Sequence, residues 1–206
     1  MKWLGILLLL IVAILLLLLG YCQNSNNWPT EPISMLTPYV TESDINVINE
    51  AYSETTASPW GFVHQGIDFF AQAGGLTDFQ AVANGVVQRV ELWQNTDNNN
   101  WQVNIAIKYN NSFTYEYGFE PMSALQADGQ TQLDNILVAV GDSVNSGQLI
   151  GRLHSPLGGS HVHFSLFQNL LFTCPEPYFT TAAQISIMNI LHNTFPSIPD
   201  IKMCYL

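Results

Sequence analysis

Two short histidine motifs, far apart in the chain, constrain this protein more than any other feature of its sequence. The first is HQGID (residues 64–68), and the second is HVH (residues 161–163), which follows the run GGS. Together they offer two imidazoles and one carboxylate, with one further histidine to spare. A zinc ion held by three protein ligands keeps one position free for water, which is typical of catalytic rather than structural zinc. The sequence therefore predicts an open zinc site.

The spacing within each motif can be argued from strand geometry. Successive side chains of a β-strand point to opposite faces, so His161 and His163 share one face of a strand HVHFSLF whose other face is apolar. His64 and Asp68 also have the same parity, but along a straight strand they would lie roughly 13 Å apart. Gly66 is expected to bend or bulge the chain between them, so that both reach one ion.

Four segments, in this order, resemble the lysostaphin-type (LytM-like) zinc metalloendopeptidases, whose usual pattern is H-x-x-x-D, then Y-x-H, then H-x-H. The segments are HQGIDFFA, ANGVV, VGDSVNSGQLIG and GGSHVHFSLF, and the likeness spans about residues 58–168. The resemblance implies a compact, mostly β domain, an antiparallel sheet or sandwich, that cleaves peptide bonds of bacterial cell-wall peptidoglycan, often next to glycine. It also implies that His64, Asp68 and His163 bind Zn²⁺ and that His161 is a catalytic histidine.

One catalytic histidine of the family pattern is missing. Aligning the tyrosine of Y-x-H with Tyr117 puts Phe119 at the histidine position. Phenylalanine cannot donate a hydrogen bond, and losing one oxyanion donor costs on the order of a hundredfold or more in rate. Three interpretations stay open: Glu120 or Glu116 takes a proton-transfer role, His154 moves in from its neighbouring segment, or the domain does not hydrolyse.

These observations leave three functional hypotheses. The preferred one is a zinc metalloendopeptidase whose partner is a peptidoglycan peptide or another protein substrate. The second is a catalytically inactive zinc- or wall-peptide-binding module that activates or scaffolds another cell-wall hydrolase. The third is a structural envelope subunit that needs no metal. His154 and His192 stand in no motif, so a structural role is expected for both.

An apolar run at the N-terminus predicts the compartment. Residues 3–19 are almost all apolar and mostly leucine. This length is at the short limit for a membrane-spanning helix and at the long limit for the core of a secretory signal. Either way we predict an exported protein that faces the periplasm or the cell exterior. Cys22 follows the residues LGY and resembles the lipidated cysteine of a bacterial lipoprotein; a lipoprotein, an uncleaved anchor and a freely secreted product all stay open.

Export also bears on the remaining cysteines. If Cys22 carries lipid or lies at the membrane, Cys174 and Cys204 remain as a pair. An oxidising compartment would let them form a disulfide, and the alternative is two buried free thiols. Neither has the C-x-x-C spacing of a thiolate metal site.

Charge limits the partners. The formal net charge is −11, with five Lys and Arg against 16 Asp and Glu. Binding to nucleic acid requires basic clusters, so we expect no nucleic-acid partner. The same acidity disfavours direct attraction to anionic wall polymers, and tethering to the membrane would supply proximity instead.

The chain divides into three predicted parts. Residues 1–22 form the signal or anchor, residues 23–40 a polar linker, and residues 41–206 one lysostaphin-like domain with a C-terminal helical extension. Turn residues divide this domain into short elements. Strands are predicted at residues 85–92, 102–109, 112–118, 136–140, 149–154 and 161–167, helices at 41–52 and 180–193, and a hairpin loop at 95–100.

Overall fold

The computed structural model describes residues 28–156 and 158–206, in which many short strands alternate with two helices. The strands are β1 (Ile45–Val47), β2 (Tyr52–Ser53), β3 (Ile67–Ala71), β4 (Gly75–Gln80), β5 (Gly85–Gln94), β6 (Trp101–Lys108), β7 (Phe113–Ser123), β8 (Ser143–Val144), β9 (Leu149–Ser155), β10 (His161–Gln168), β11 (Leu171–Phe172) and β12 (Cys204–Tyr205). The helices are α1 (Gln126–Asp134) and α2 (Thr181–Thr194), and single 3-10 turns lie at Glu42–Asp44 and Glu176–Tyr178.

One antiparallel sheet forms the centre of the domain. Its strand order is β1-β3-β10-β7-β6-β5-β8, and β11 pairs with the end of β10. Two smaller pairs complete the fold, β4 with β9 (antiparallel) and β12 with β2 (parallel). The fold is therefore mostly β with a C-terminal helix, as the sequence predicted.

The two faces of the central sheet differ in chemistry. The apolar face packs against β4 and β9, where Phe119 of β7 contacts Phe79 of β4 with ring centroids 5.6 Å apart. Val162 and Phe164 of β10 lie on this same face and are fully buried. Because side chains alternate along a strand, the histidines of β10 must lie on the opposite face.

Helix α2 closes one side of the domain. The hydroxyl of Thr180 accepts a hydrogen bond from the Ala183 amide and so caps the helix. The buried residues follow a helical period and lie against β1, so burial of this stripe holds the helix in place. The buried residues of α2 are Ala183, Ile187, Ile190 and Leu191.

Most of the elements predicted from the sequence are present, with ends shifted by a few residues. Strands β5, β6, β7, β9 and β10, helix α2 and the hairpin loop between β5 and β6 are confirmed. The helix predicted at residues 41–52 is wrong, because Ile45 and Val47 pair with β3 instead. The strand predicted at residues 136–140 is also wrong, since only Ile136 makes an isolated bridge there. The polar, glycine-containing helix α1 had no apolar period to reveal it.

The described chain enters the compact unit at Pro32, within the segment expected to be a linker. Ile33, Met35 and Tyr39 are buried, and the Leu36 amide donates to the Val82 carbonyl. The predicted anchor, with Cys22, lies outside the described residues. Among residues 28–156 and 158–206, no helix combines the length and apolar character needed to cross a bilayer.

Cys174 and Cys204 form the disulfide that the sequence predicted, with their Cα atoms 5.9 Å apart. Cys204 belongs to β12 and pairs with Tyr52 of β2. The disulfide therefore ties β12, which pairs with the segment leading to the first histidine motif, to the chain that follows β11.

Removing this disulfide is expected to lower the free energy of unfolding by about 3 to 4 kcal/mol, because it closes a loop across a sequence separation of 30 residues. Urea unfolding of a Cys174→Ala, Cys204→Ala double variant measures the loss. A reductant should have the same effect on the native protein and none on the variant. A loss below about 1 kcal/mol would contradict the expectation.

Candidate metal centre

Strand pairing brings the two histidine motifs together. β3 and β10 are antiparallel neighbours, and their register places Asp68 directly opposite His163. Oδ1 of Asp68 lies 2.6 Å from Nδ1 of His163. Directly opposite residues share a face of the sheet, so this pair lies on the polar face.

His64 reaches the same carboxylate from just outside the strand. It lies before β3 and forms a bridge with Ser53, in which each backbone amide donates to the other residue's carbonyl. Its ring Nε2 lies 3.3 Å from Oδ2 of Asp68, while its Nδ1–H donates to the Ala51 carbonyl at 3.1 Å. This second bond fixes the ring orientation and leaves Nε2 free for a metal ion.

His163 is held by a serine that the sequence reasoning missed. Ser165 donates its hydroxyl proton to the Gln65 carbonyl at 2.8 Å, so it accepts from Nε2–H of His163 at 3.0 Å. In a neutral ring Nδ1 then carries a lone pair, and this lone pair faces the Asp68 carboxylate. A metal ion between the two groups would bind both this lone pair and the carboxylate. Same-face parity with His163 on one strand was the signal that could have found Ser165.

The three residues fit a zinc ion by geometry and by donor type. One ligand atom from each of His64, Asp68 and His163 lies within 4.8 Å of the other two. At bond lengths of about 2.0–2.2 Å, tetrahedral zinc places two ligand atoms roughly 3.4 Å apart. Small side-chain rotations therefore suffice to gather them, and two imidazoles with one carboxylate match a known type of catalytic zinc set.

His161 lies beside these three residues on the same face of β10. Its Nδ1–H donates to the Gly159 carbonyl at 3.0 Å, and its ring stacks on Phe70 with centroids 4.5 Å apart. Nε2 lies 3.8 Å from Oδ2 of Asp68 and 3.8 Å from Oε2 of Glu120. The ring is thus fixed from two sides, with Nε2 directed at the carboxylates.

Strand β7 presents no histidine to this face. His161 lies opposite Glu120 and His163 lies opposite Gly118. Phe119 lies opposite Val162 and is fully buried in the apolar core. The sequence alignment placed Phe119 at the position of a catalytic histidine, but its side chain faces away from the candidate metal centre. On this strand the residues that face the centre are Gly118 and Glu120.

Comparisons with known proteins agree on the fold. No protein-family model matches the sequence, and no curated protein matches it at a significant level. Among solved structures, a chain of the SpoIIQ–SpoIIIAH pore-forming complex is 19% identical, covers 72% of this chain and 92% of that one, and has a TM-score of 0.53. Csd3 of Helicobacter pylori is 18% identical over 77% of this chain and 40% of its own, with a TM-score of 0.50. Lysostaphin is 20% identical over 74% and 58%, with a TM-score of 0.48.

This chain has the LytM-like fold. Identities below 25% show the fold alone. The comparisons thereby confirm the LytM-like fold that the order of the sequence motifs predicted.

The electrostatics of the LytM-like domain centre on Asp68. Burial would raise the pKa of Asp68, but the charge and hydrogen bond of His163 outweigh burial and hold this pKa well below its usual range. Burial lowers the pKa of His64, yet the hydrogen bond and charge of Asp68 leave it raised overall. Asp68 therefore stays ionised and can serve as an anionic ligand.

Glu50 is a further carboxylate that the sequence reasoning missed. Its carbonyl accepts from the Asp68 amide at 2.9 Å, and its Oε2 is buried with no hydrogen-bond partner among the residues that the structure describes. Burial, and then the charge of Asp68, raise the pKa of Glu50. Burial likewise raises the pKa of Glu120. No local motif marks Glu50, because only the pairing of distant segments brings it here.

The two histidines without a motif lie elsewhere in the LytM-like domain. His154 is on β9, where its Nε2 lies 3.6 Å from Oδ1 of Asp128 and its amide donates to Gln132 of α1. His192 is exposed in the last turn of α2. The interpretation in which His154 moves into the centre would therefore require it to leave its contacts with α1.

Gly66→Ala is expected to damage the metal centre. A Cβ atom at this position would overlap Nε2 of His163 and lie 2.7 Å from the Phe164 carbonyl oxygen. Because backbone cannot yield as a flexible side chain can, the His163 ring must move, and we expect zinc affinity to fall by about 10-fold or more. Zinc titration measures this. Gly75→Ala is the matched control, since its Cβ would meet nothing within 4 Å; equal affinities in the two variants would contradict the prediction.

Proposed function

We propose that this LytM-like domain is a zinc metallopeptidase that cleaves peptide bonds of cell-wall peptidoglycan. One observation carries the proposal: His64, Asp68 and His163 offer three ligand atoms within 4.8 Å of one another, with His161 beside them on the same face. Three histidines surround the buried carboxylate of Asp68, an arrangement that a purely structural role does not require.

The roles of the residues follow from their contacts. Zinc, when bound, polarises the scissile carbonyl and lowers the pKa of a water molecule towards about 7. His64 and His163 present fixed ring nitrogens to it, since Ala51 and Ser165 hold the other nitrogen of each ring. His161 turns its Nε2 toward the same space, where it can orient the water and hold its proton at that atom.

The polar face of the central sheet extends beyond the candidate metal centre and is suited to a peptide substrate. A row of directly paired residues crosses the sheet from Asp68 and His163 to Gly118, Asn104 and Glu91. Gly118 has no side chain, and a Cβ atom there would lie 3.3 Å from Oδ1 of Asn104, so Asn104 borders the candidate centre on this face. Asn104 is partly exposed, and its side-chain amide can hydrogen-bond to a peptide backbone that lies on this face.

Two features support a site of action outside the cytoplasm. The disulfide between Cys174 and Cys204 is typical of an oxidising compartment. The apolar run at residues 3–19 is typical of an export signal or anchor. We therefore place the domain in the cell envelope, held at the membrane by its N-terminal segment.

A second candidate function is a zinc- or peptide-binding module that does not hydrolyse and acts on a partner protein. It is favoured by β7, which presents Gly118 and Glu120 where a second catalytic histidine would be needed. A carboxylate is a poor donor to a developing oxyanion. One of the matched structures is itself a protein complex, that of SpoIIQ with SpoIIIAH.

Zinc content and hydrolysis, measured on the same purified full-length protein, separate these functions. If the domain is a peptidase, the protein binds one zinc ion and cleaves a glycine-rich muropeptide. His163→Ala and chelation should each abolish cleavage, while His192→Ala, at an exposed position of α2, should leave it unchanged. One bound zinc without turnover would favour the binding module. No zinc under any condition would contradict the peptidase and the zinc-binding module, and would leave a peptide-binding module or a structural envelope subunit.

A further inference from the structure

The turn between β10 and β11 exposes an unusual amount of apolar side chain. We call residues 169–172 the apolar tip. Leu170 is 89% exposed, Leu171 72% and Phe172 37%, the largest such group of neighbouring residues in the described chain. The flanking sequence FQNLLFT contains no charged residue. Exposed apolar groups of this kind mark sites of contact with another surface.

The backbone conformation of the apolar tip is unfavourable for leucine. Asn169 has φ 52° and Leu170 has φ 69°, so both lie in the left-handed region. Two-residue hairpin turns of this kind favour asparagine and glycine, and a branched leucine is disfavoured in that region. Leu170 therefore gains neither burial nor an easy conformation from this fold. Side chains placed at such a cost point to a function outside the fold.

The apolar tip lies at the end of the domain where the N-terminal chain enters. Gln168 pairs with Leu171, and its side-chain oxygen accepts from the Tyr178 hydroxyl at 3.2 Å. The Tyr178 carbonyl in turn accepts from the Met35 amide at 2.8 Å. Met35 lies three residues after Pro32, where the compact unit begins. Tyr178 thus links the base of the apolar tip to the segment that follows Pro32.

The length of the tether limits how far this end can be from a membrane. Residues 20–31 separate the predicted apolar anchor from Pro32. Fully extended, these residues span at most roughly 40 Å. An anchored domain therefore keeps Pro32 within roughly 40 Å of the bilayer, a distance that lets the apolar tip reach the lipid.

We propose that the apolar tip inserts into the lipid bilayer that holds the N-terminal anchor. Two leucines and a phenylalanine on an uncharged turn match the chemistry of the interface between headgroups and acyl chains. Contact at a second point would fix the orientation of the domain, which a polar tether alone cannot do. His163 lies on β10 five residues before Gln168, or roughly 17 Å along the strand, so the candidate metal centre would be held at a set height above the membrane.

The test places a fluorescent probe on the apolar tip of the full-length protein. Leu170→Cys, in a Cys22→Ser background, carries an environment-sensitive dye in phosphatidylcholine vesicles that contain a nitroxide-labelled lipid. Leu125→Cys is the matched control, because Leu125 is also an exposed leucine, at 66%, but lies at the start of α1. Quenching at position 170 should exceed that at 125 by at least about twofold, since interfacial side chains reach about 5–10 Å into the boundary.

A further variant separates insertion from mere proximity. Adding Leu171→Asp to the labelled protein should return quenching at position 170 to the level of the control, without a change in urea unfolding, because Leu171 is exposed. Equal quenching at positions 170 and 125 would overturn the proposal. So would protection of the dye from an aqueous quencher by a second protein and not by vesicles, which would assign the apolar tip to a protein partner.

Discussion

Asp68→Asn is expected to lower zinc affinity by more than about a hundredfold and to abolish any hydrolysis. Losing a partner that only orients a ligand already costs about 10- to 100-fold, and Asp68 is itself a ligand in the arrangement described here. Its two oxygens face His163 at 2.6 Å, His64 at 3.3 Å and His161 at 3.8 Å. Asparagine keeps the shape but supplies neither the negative charge nor the second acceptor oxygen. Competition with a zinc-binding dye measures the affinity.

The control for this variant is Asp78→Asn. Asp78 pairs with Arg152 at 3.0 Å, but its side chain is 44% exposed and lies on β4, away from the polar face. Both variants remove one carboxylate charge, so a general charge effect would appear in both. If Asp68→Asn binds zinc as tightly as the native protein, the three residues do not hold a metal, and the proposed peptidase and the zinc-binding module fail together.

The parts of the centre that the sequence could predict are those set by strand alternation. The spacing of His161 and His163 fixed their common face without knowledge of the neighbouring strands. The bend expected at Gly66 is also present. Residues 65 and 66 form a bend between β3 and His64, which lies outside β3 in a bridge with Ser53. Close approach of the His163 ring explains why this position has no side chain.

The parts that could not be predicted depend on pairing between distant segments. Glu50 and Ser165 belong to the centre because of register and backbone hydrogen bonds, which no short motif encodes. Residues 45–47 form a strand because β3 offers an edge to pair with, a tertiary contact that overrides local helical signals. In the same way, aligning Tyr117 with a family tyrosine could not tell which face of β7 the residue at 119 occupies.

Phe119→His is expected to destabilise the domain by about 3 to 5 kcal/mol. Phe119 is fully buried, its ring contacts Phe79 and Tyr117, and a Cβ atom on Gly151 would lie only 3.1 Å from its Cζ atom. An imidazole there would lose much of this packing and bury polar nitrogens that have no partner. Stabilities of whole domains are roughly 5–15 kcal/mol, so urea unfolding will detect the loss readily.

Glu120→His is the matched substitution on the other face of the same strand. The Glu120 side chain is 14% exposed and its Oε2 faces Nε2 of His161. Moving the new histidine by one residue reverses its direction, so Glu120→His should cost about 1 kcal/mol, a typical value for a single substitution. It also places an imidazole beside the candidate centre. If Phe119→His instead keeps full stability and raises hydrolysis, the side chain at 119 reaches the centre, and the two faces of β7 have been assigned the wrong way round.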